Sequence, residues 1–226
     1  MTNFERFVDS FFNAKVAAEF WPLLLQGIGV TIVVAIAVIV CGIALGLVLA
    51  LIRAQRLRGV NPLIAAFADI FRALPPLVVI LILYFAVPSL GVPVTAFVAT
   101  WLALTLVLGA FAEEIFWAGI IAVPRGQVEA GRATGLSRLQ TLWHVVLPQA
   151  VRITVAPLTN RTIAITKNTA LGSAVALAEI LGQASSAASL ALNPTPYTMG
   201  AAAYLAIFLP IVIFSRWLET RFAWKR

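Results

Sequence analysis

Cysteine and histidine are almost missing from this chain: of 226 residues, one is Cys and one is His. Cys41 alone rules out an intrachain disulfide, and the pair cannot supply the ligand spacing of a metal centre. Cys41 lies in an apolar run and reads as a small packing residue. His144 sits in a polar stretch just before Leu147-Pro148, where a packing or capping role is expected of it. Charge is also scarce. Only 11% of residues are Asp, Glu, Lys or Arg, against about 25% in a soluble domain. No GxxxxGK[ST] loop and no Ser–His–Asp set occur, so neither nucleotide chemistry nor catalysis is expected in this chain. Any energy source must come from a partner.

What is present is hydrocarbon, at 62% of residues. That identifies an integral membrane protein, and the length allows five or six spans of ~20 residues each. The net charge of +7 fits loop anchors at anionic headgroups. It carries no aromatic–basic interleaving that would point to nucleic acid. The opening MTNFERFVDSFFNAK lacks a hydrophobic core followed by a small-residue site, so no cleavable signal peptide is expected.

Phe4, Phe7, Val8, Phe11 and Phe12 follow helical spacing. Residues 1–19 therefore read as an amphipathic segment, lying on the membrane or packing against a neighbouring subunit. No charge occurs between Glu19 and Arg53, which predicts a first span of about 25 residues starting near Pro22. The charge-free run from Ala73 to Ala112 is broken by Pro88, Ser89, Gly91 and Pro93. It predicts a second and a third span joined by a short turn. A fourth span is expected over 153–171 and a fifth over 198–215. The stretch 182–196 reads as an outer loop or a short helical hairpin.

Lys and Arg choose the orientation. Arg53, Arg56, Arg58 and Arg72 follow span one, Arg125, Arg132, Arg138 and Arg152 follow span three, and Arg216, Arg221, Lys225 and Arg226 form the tail. The turns at 88–93 and 182–197 have none. The rule of positive loops inside then places the N-terminus outside and the C-terminus inside, with five spans. No internal repeat or second domain is visible, so one transmembrane domain over 1–226 is expected.

Three groups of residues could carry function. The first is the polar run of about 125–150. Leu136, Leu139, Leu142 and Trp143 recur at helical spacing. Ser137 with Gln140 three residues on has the form of a helix cap, and Gly135 permits a left-handed turn. Helix, turn, helix is predicted, either as a docking element or as a solvated loop. The second group is the charged fourth span. At 1.5 Å per residue, Arg161 lies ~13 Å and Lys167 ~22 Å along the helix from Arg152. Thr154, Arg161 and Asn168 share a face, and Asn160 and Lys167 form a neighbouring stripe. Pro157 could loosen the helix there. Intramembrane charges mark a solute path or a structural ion pair, here with Glu114 or Glu179. On the first reading Arg161 holds a carboxylate in a bidentate contact. The third group is Glu113, expected near an interface, with Glu114 and Glu179 as counter-charges to Arg161 and Lys167.

With these features in hand, the chain resembles permease subunits of polar amino acid ABC importers, the histidine/glutamine/arginine type. Gln26-Gly27 with Thr31-Ile32, Phe71-Arg72-Ala73-Leu74-Pro75 and Ala118-Gly119-Ile120 with Val123-Pro124-Arg125-Gly126-Gln127 are similar to successive family patterns. Glu129-Ala130-Gly131 with Gly135-Leu136-Ser137 and Leu147-Pro148-Gln149-Ala150 resemble its EAA loop. Lys167-Asn168-Thr169-Ala170-Leu171 resembles its K-[DN]-[ST]-[SA]-L pattern. Each is weak alone; their order and spacing are specific, and they cover nearly the whole chain.

The resemblance implies an all-α, type I ABC importer architecture in the bacterial inner membrane. It implies two ATPase subunits, which hold ATP and Mg, a second permease, identical or related, and a periplasmic substrate-binding protein. Glu129, Ala130, Thr134, Gly135, Leu136, Ser137 and Arg138 would dock on the ATPase. On the solute-path reading of the charged fourth span, Asn160, Arg161, Lys167, Asn168, Thr169 and Glu114 would line the path of a small amino acid. Four positions depart from the family. Gly131 replaces the usual Ala and is expected to loosen the docking helix slightly. Ala73-Leu74 replaces Gly-Thr, and Trp117 replaces a common Arg. Arg161 stands where an uncharged Gln is usual, which favours an anionic solute such as glutamate or aspartate over a cationic one. A same-architecture permease for methionine or an osmolyte is an alternative. A secondary carrier or membrane enzyme is a further one, although the inverted repeats or acid–base clusters these need are not visible.

Overall fold

A computed structural model describes residues 2–222, with side chains through 217. The expected basic residues Arg221, Lys225 and Arg226 lie outside the described side chains. The described residues contain helices and turns and no strand. Helix α1 (Asn3–Phe11) opens with a reciprocal cap: the Glu5 N–H donates to Thr2 Oγ1 (3.2 Å) and the Thr2 N–H to Glu5 Oε2 (2.7 Å). Helix α2 (Ala14–Ala54) begins where Asn13 Oδ1 accepts the N–H groups of Lys15 and Val16. Helix α3 is Val60–Ala73. Helix α4 (Pro76–Leu81) continues through a π-turn, Ile82–Ala86, to a 3-10 turn at Pro88–Leu90. Then follow α5 (Ala96–Ala122), α6 (Arg125–Ala133), α7 (Arg138–Thr141), a π-turn at Leu142–Val146, and α8 (Leu147–Lys167). A 3-10 stretch, Asn168–Val175, leads to α9 (Ile180–Ala191) and α10 (Thr195–Phe222).

Three helices are long and apolar enough to cross a membrane, and two pairs of broken helices raise the number to five. The expected five spans correspond to the upper count, in which each bent pair is one span, and their boundaries differ from the expectation. Pro22 lies inside α2 and does not start it; Asn13 supplies the start. The second span is the pair Val60–Ala73 and Pro76–Leu90, bent by 104° where Leu74 before Pro75 is extended (ψ 133°), as the ring of a following proline demands. The third span does not stop at Ala112. It runs through Glu113 and Glu114 to Ala122, since both carboxylates find arginines. The fourth is α-helical from Leu147 and changes to 3-10 winding at Asn168. Residues 182–196 form the hairpin alternative, with Leu192 left-handed (φ 50°) at the corner between α9 and α10.

The chain divides into two compact units. Unit 1 comprises Met1–Val38, Pro75–Leu104 and Ile165–Val212. Its core joins Leu24 of α2, Ile180 and Ala184 of α9 and Ala203 of α10. Helix α1 is tied down here: the Asn13 N–H donates to Thr195 Oγ1 (3.0 Å), Asn193 Nδ2 to the Asp9 carbonyl (3.0 Å), and Thr198 Oγ1 to the Phe11 carbonyl. Its phenylalanines stay exposed, Phe4 at 74%.

Unit 2 comprises Ile39–Leu74, Thr105–Ala164 and Ile213–Arg226. Ala50, Ala112 and Phe116 form one cluster, and Val123, Leu142, Val146 and Ala150 another. Here α2 and α5 meet at small residues. A Cβ placed on Gly46 would lie 2.4 Å from Ala112 Cβ and 2.7 Å from the Glu113 nitrogen, and one on Gly42 would lie 2.9 Å from Leu108. Gly42-x-x-x-Gly46 is thus a close-packing motif of the kind membrane helices use where backbones touch.

Candidate functional site

The polar segment folds as helix, turn, helix. Helix α6 closes with the paired bonds of a Schellman motif: the Leu136 N–H donates to the Gly131 carbonyl (3.3 Å) and the Gly135 N–H to that of Arg132 (3.0 Å). Gly135 has φ 89°, a conformation that costs nothing extra only without a Cβ. Ser137 then caps α7, with its Oγ accepting the Gln140 N–H (3.3 Å) while Gln140 Oε1 accepts the Ser137 N–H (2.8 Å). Glu129, Ala130, Thr134, Gly135, Ser137 and Arg138 are exposed, and Leu136 is half-buried. Leu139 and Trp143 add exposed apolar surface. His144 is also exposed. Gly131 lies where α6 meets the following helix. It is buried, and an added Cβ would lie 3.0 Å from Thr141 Cγ2 and 3.3 Å from Val145 Cγ2. The missing side chain lets α6 lie close against the start of the next helix.

The charges inside the spans are paired differently from the expectation. Glu113 is fully buried and takes Arg53 Nη1 at 3.0 and 3.2 Å. Arg53 also lies over the Trp117 ring, 4.8 Å from its centre. Glu114, 40% exposed, takes Arg72 at 3.0 Å and lies 3.9 Å from Arg53. Glu179 caps α9 by accepting the Gly182 N–H (2.7 Å), and its other oxygen accepts the Tyr204 hydroxyl (2.5 Å). Neither Glu114 nor Glu179 therefore pairs with Arg161 or Lys167. Arg161 is exposed and stacks on the Phe111 ring at 3.9 Å, while Arg72 approaches the same ring at 5.7 Å. Among the described residues Arg161 has no carboxylate partner.

The expected single stripe on the fourth span is not formed. Thr154 is buried, its methyl 2.4 Å from where a Gly119 Cβ would stand, while Asn160 and Arg161 are exposed. The face rule also lapses at Asn168, where the α-helix ends. Asn160, Arg161 and Glu114 belong to unit 2, whereas Lys167, Asn168 and Thr169 belong to unit 1. Lys167 borders a largely apolar groove of about 450 Å3 along α10, beside Tyr204 and Phe208. Thr169 is buried with an unpaired hydroxyl, as are Thr100 Oγ1 and Trp101 Nε1 of the same unit. Such orphaned groups cost about 1–3 kcal/mol each unless a polar guest satisfies them.

Sequence reading missed the Arg53–Glu113 pair, whose partners are 60 residues apart with no local signal. It also passed over Gly42 and Gly46, which their four-residue spacing could have revealed.

Three helices long and apolar enough to cross a membrane, and up to five with the bent pairs, define a multi-span membrane protein. Residues 42–224 match the profile of the family described as binding-protein-dependent transport system inner membrane component, and the chain belongs to that family. It is 36% identical to the L-cystine transport system permease protein TcyB of Bacillus subtilis, over 75% of this chain and 72% of that protein. It is 32% identical to the arginine ABC transporter permease protein ArtQ of Haemophilus influenzae, over 91% and 96% of the two chains. A crystal structure of an amino acid ABC transporter with histidines superposes with a TM-score of 0.82 at 28% identity, covering 90% of this chain and 96% of that one. The methionine transporter MetNI, inward facing, gives 0.68 at 21% identity, over 89% and 96% of the two chains, and shares the fold.

Proposed function

We propose that this chain is the membrane-spanning subunit of an ATP-driven, binding-protein-dependent importer of polar amino acids in a bacterial inner membrane. Both compact units serve as one permease domain, 1–226, and the family match runs through both. The relatives named as permeases for cystine, glutamine and arginine support the solute class. ATP and Mg are bound by two partner ATPase subunits. A second permease, identical or related, completes the path, and a periplasmic binding protein delivers the solute.

The exposed elbow carries the coupling role. Glu129 and Ala130 on α6, with Thr134, Gly135, Leu136, Ser137 and Arg138 at the turn, present a rigid, doubly capped shape to the ATPase. Closure of the ATPase dimer on ATP then moves the elbow as a lever and rocks the spans between inward- and outward-facing states.

The solute path uses Asn160, Arg161 and Glu114 in unit 2 and Lys167, Asn168 and Thr169 in unit 1. Its sign is carried by one observation. Two arginines lie on the Phe111 ring: Arg72 is paired with Glu114 and Asp69, whereas Arg161 has no carboxylate partner among the described residues. An uncompensated guanidinium attracts a carboxylate and repels a cationic side chain. Glutamate and aspartate are therefore the proposed solutes.

The test is ATP-driven uptake in proteoliposomes holding the whole complex with its binding protein. Labelled glutamate should enter, labelled arginine should not, and Arg161→Gln should reduce glutamate uptake by tenfold or more, on the order of one lost charge-assisted contact. Arginine uptake by the wild type, or glutamate uptake indifferent to the substitution, would remove the acidic reading and leave the family assignment.

A further inference from the structure

Unit 2 has a second cationic feature, of which only Arg138 is also among the proposed docking residues. A cavity of about 470 Å3 opens between the end of α2, the end of α5 and the polar segment. Four arginines line it: Arg56, Arg125, Arg132 and Arg138. No carboxylate lines it, and none of the four arginines is in an ion pair among the described residues. Arg56 is held in a left-handed conformation (φ 58°), which non-glycine residues rarely adopt. Its N–H bonds the Arg53 carbonyl at 3.0 Å. The remaining wall is mostly apolar and includes Trp117 and Ile121, the latter 60% exposed.

We infer that this cavity binds a phosphate-bearing anion, the headgroup of an anionic membrane lipid. Four guanidiniums gathered around one space repel each other unless an anion sits among them, and guanidinium matches phosphate in bidentate geometry. The apolar wall separates a lipid from a bare ion. It lies in the last turns of two membrane-crossing helices, where headgroups meet hydrocarbon, and exposed Ile121 continues it outward for an acyl chain. Basic pockets at span ends recognise anionic lipids by this chemistry. Such a lipid would join the end of α2 to the elbow, so the elbow's firmness would depend on membrane composition. The inference does not depend on which solute is carried.

The test is native mass spectrometry of the full chain in mild detergent, titrated with phosphatidylglycerol and, separately, phosphatidylcholine. Phosphatidylglycerol should bind in preference. Arg56→Gln/Arg132→Gln should lower its apparent affinity by about tenfold or more, as two basic residues at a membrane surface would. Arg6→Gln, on α1 and outside the cavity, should leave it unchanged. Arg132→Lys should retain most of the binding, which separates lost charge from lost fold. Inorganic phosphate that displaces phosphatidylglycerol from the wild type alone would support the anion site and assign it to a soluble source. Equal phosphatidylglycerol binding by the wild type and the double variant would overturn the inference. So would loss of ATPase-subunit binding in the double variant with lipid binding intact, which would assign the arginines to protein docking.

Discussion

The elbow at 125–150 and the charged middle of α5 both lie in unit 2, and they are held in opposite ways. In the elbow the bonds that shape the turn span five residues or fewer (Leu136 to Gly131, Gly135 to Arg132, Ser137 to Gln140), and one longer contact, Gln149 to Gln127 at 3.4 Å, joins its two ends. In α5 the decisive bonds cross 60 residues to Arg53 and 42 to Arg72. The elbow is exposed and keeps its shape from its own sequence. The buried charge exists only because two other helices bring arginines to it. An element built from short-range bonds can move as a body and keep its form, which suits a lever. An element built from long-range pairs fixes which helices lie together.

The largest effect should come from breaking the buried side of this contrast. Glu113→Ala removes the close partner of Arg53 and leaves it only the longer contact with Glu114, at 3.9 Å. Removing one member of a buried pair costs about 3–5 kcal/mol. Unfolding of the purified chain in detergent should show that loss, and replacing both members (Arg53→Met with Glu113→Leu) should recover most of it. A cost below about 1 kcal/mol would put the pair in the class of surface ion pairs and dissolve the contrast. The half-exposed Arg72–Glu114 pair already belongs to that class.

The same contrast explains what the sequence made legible. The Ser137–Gln140 cap, the left-handed Gly135, the α1 helix and the break at Pro88 all rest on residues a few positions apart, and each was readable. The span count followed from hydropathy. The partners of Glu114 and Glu179 differ from the expectation, and that of Glu113 goes unforeseen, because Arg72, Tyr204 and Arg53 are distant in the chain. Helix α3 was hidden inside what looked like a basic loop. The polar stripe of the fourth span failed for a different reason. It assumed one helical period through Asn168, and the backbone changes its winding there. The neighbour packed against Gly131, Thr141, is ten residues on, outside what helix propensity weighs.

A smaller effect, confined to the elbow, should follow from Gly135→Val. The position requires φ near 89°, and a side chain there costs about 1–2 kcal/mol, with a β-branched residue at the unfavourable end. The variant should insert and keep the global unfolding midpoint, yet ATP-driven uptake by the reconstituted complex should fall while ATP hydrolysis persists. Gly135→Asn, which tolerates the left-handed region, should retain most uptake. Full uptake by the Val variant would mean that the turn need not hold its shape for coupling.

The smallest effect sharpens the comparison most. Ser137→Ala removes one half of the reciprocal cap on α7, and loss of an N-cap typically costs about 1 kcal/mol. Because the cap is local, the loss should also be local. Amide exchange at 138–141 should quicken about fivefold, the factor that corresponds to 1 kcal/mol, while exchange around Glu113 stays at the wild-type rate. Faster exchange at both places would show that the elbow and the buried pair open together. The elbow would then be part of the bundle's cooperative core, and a lever of independent stability could not be built from it.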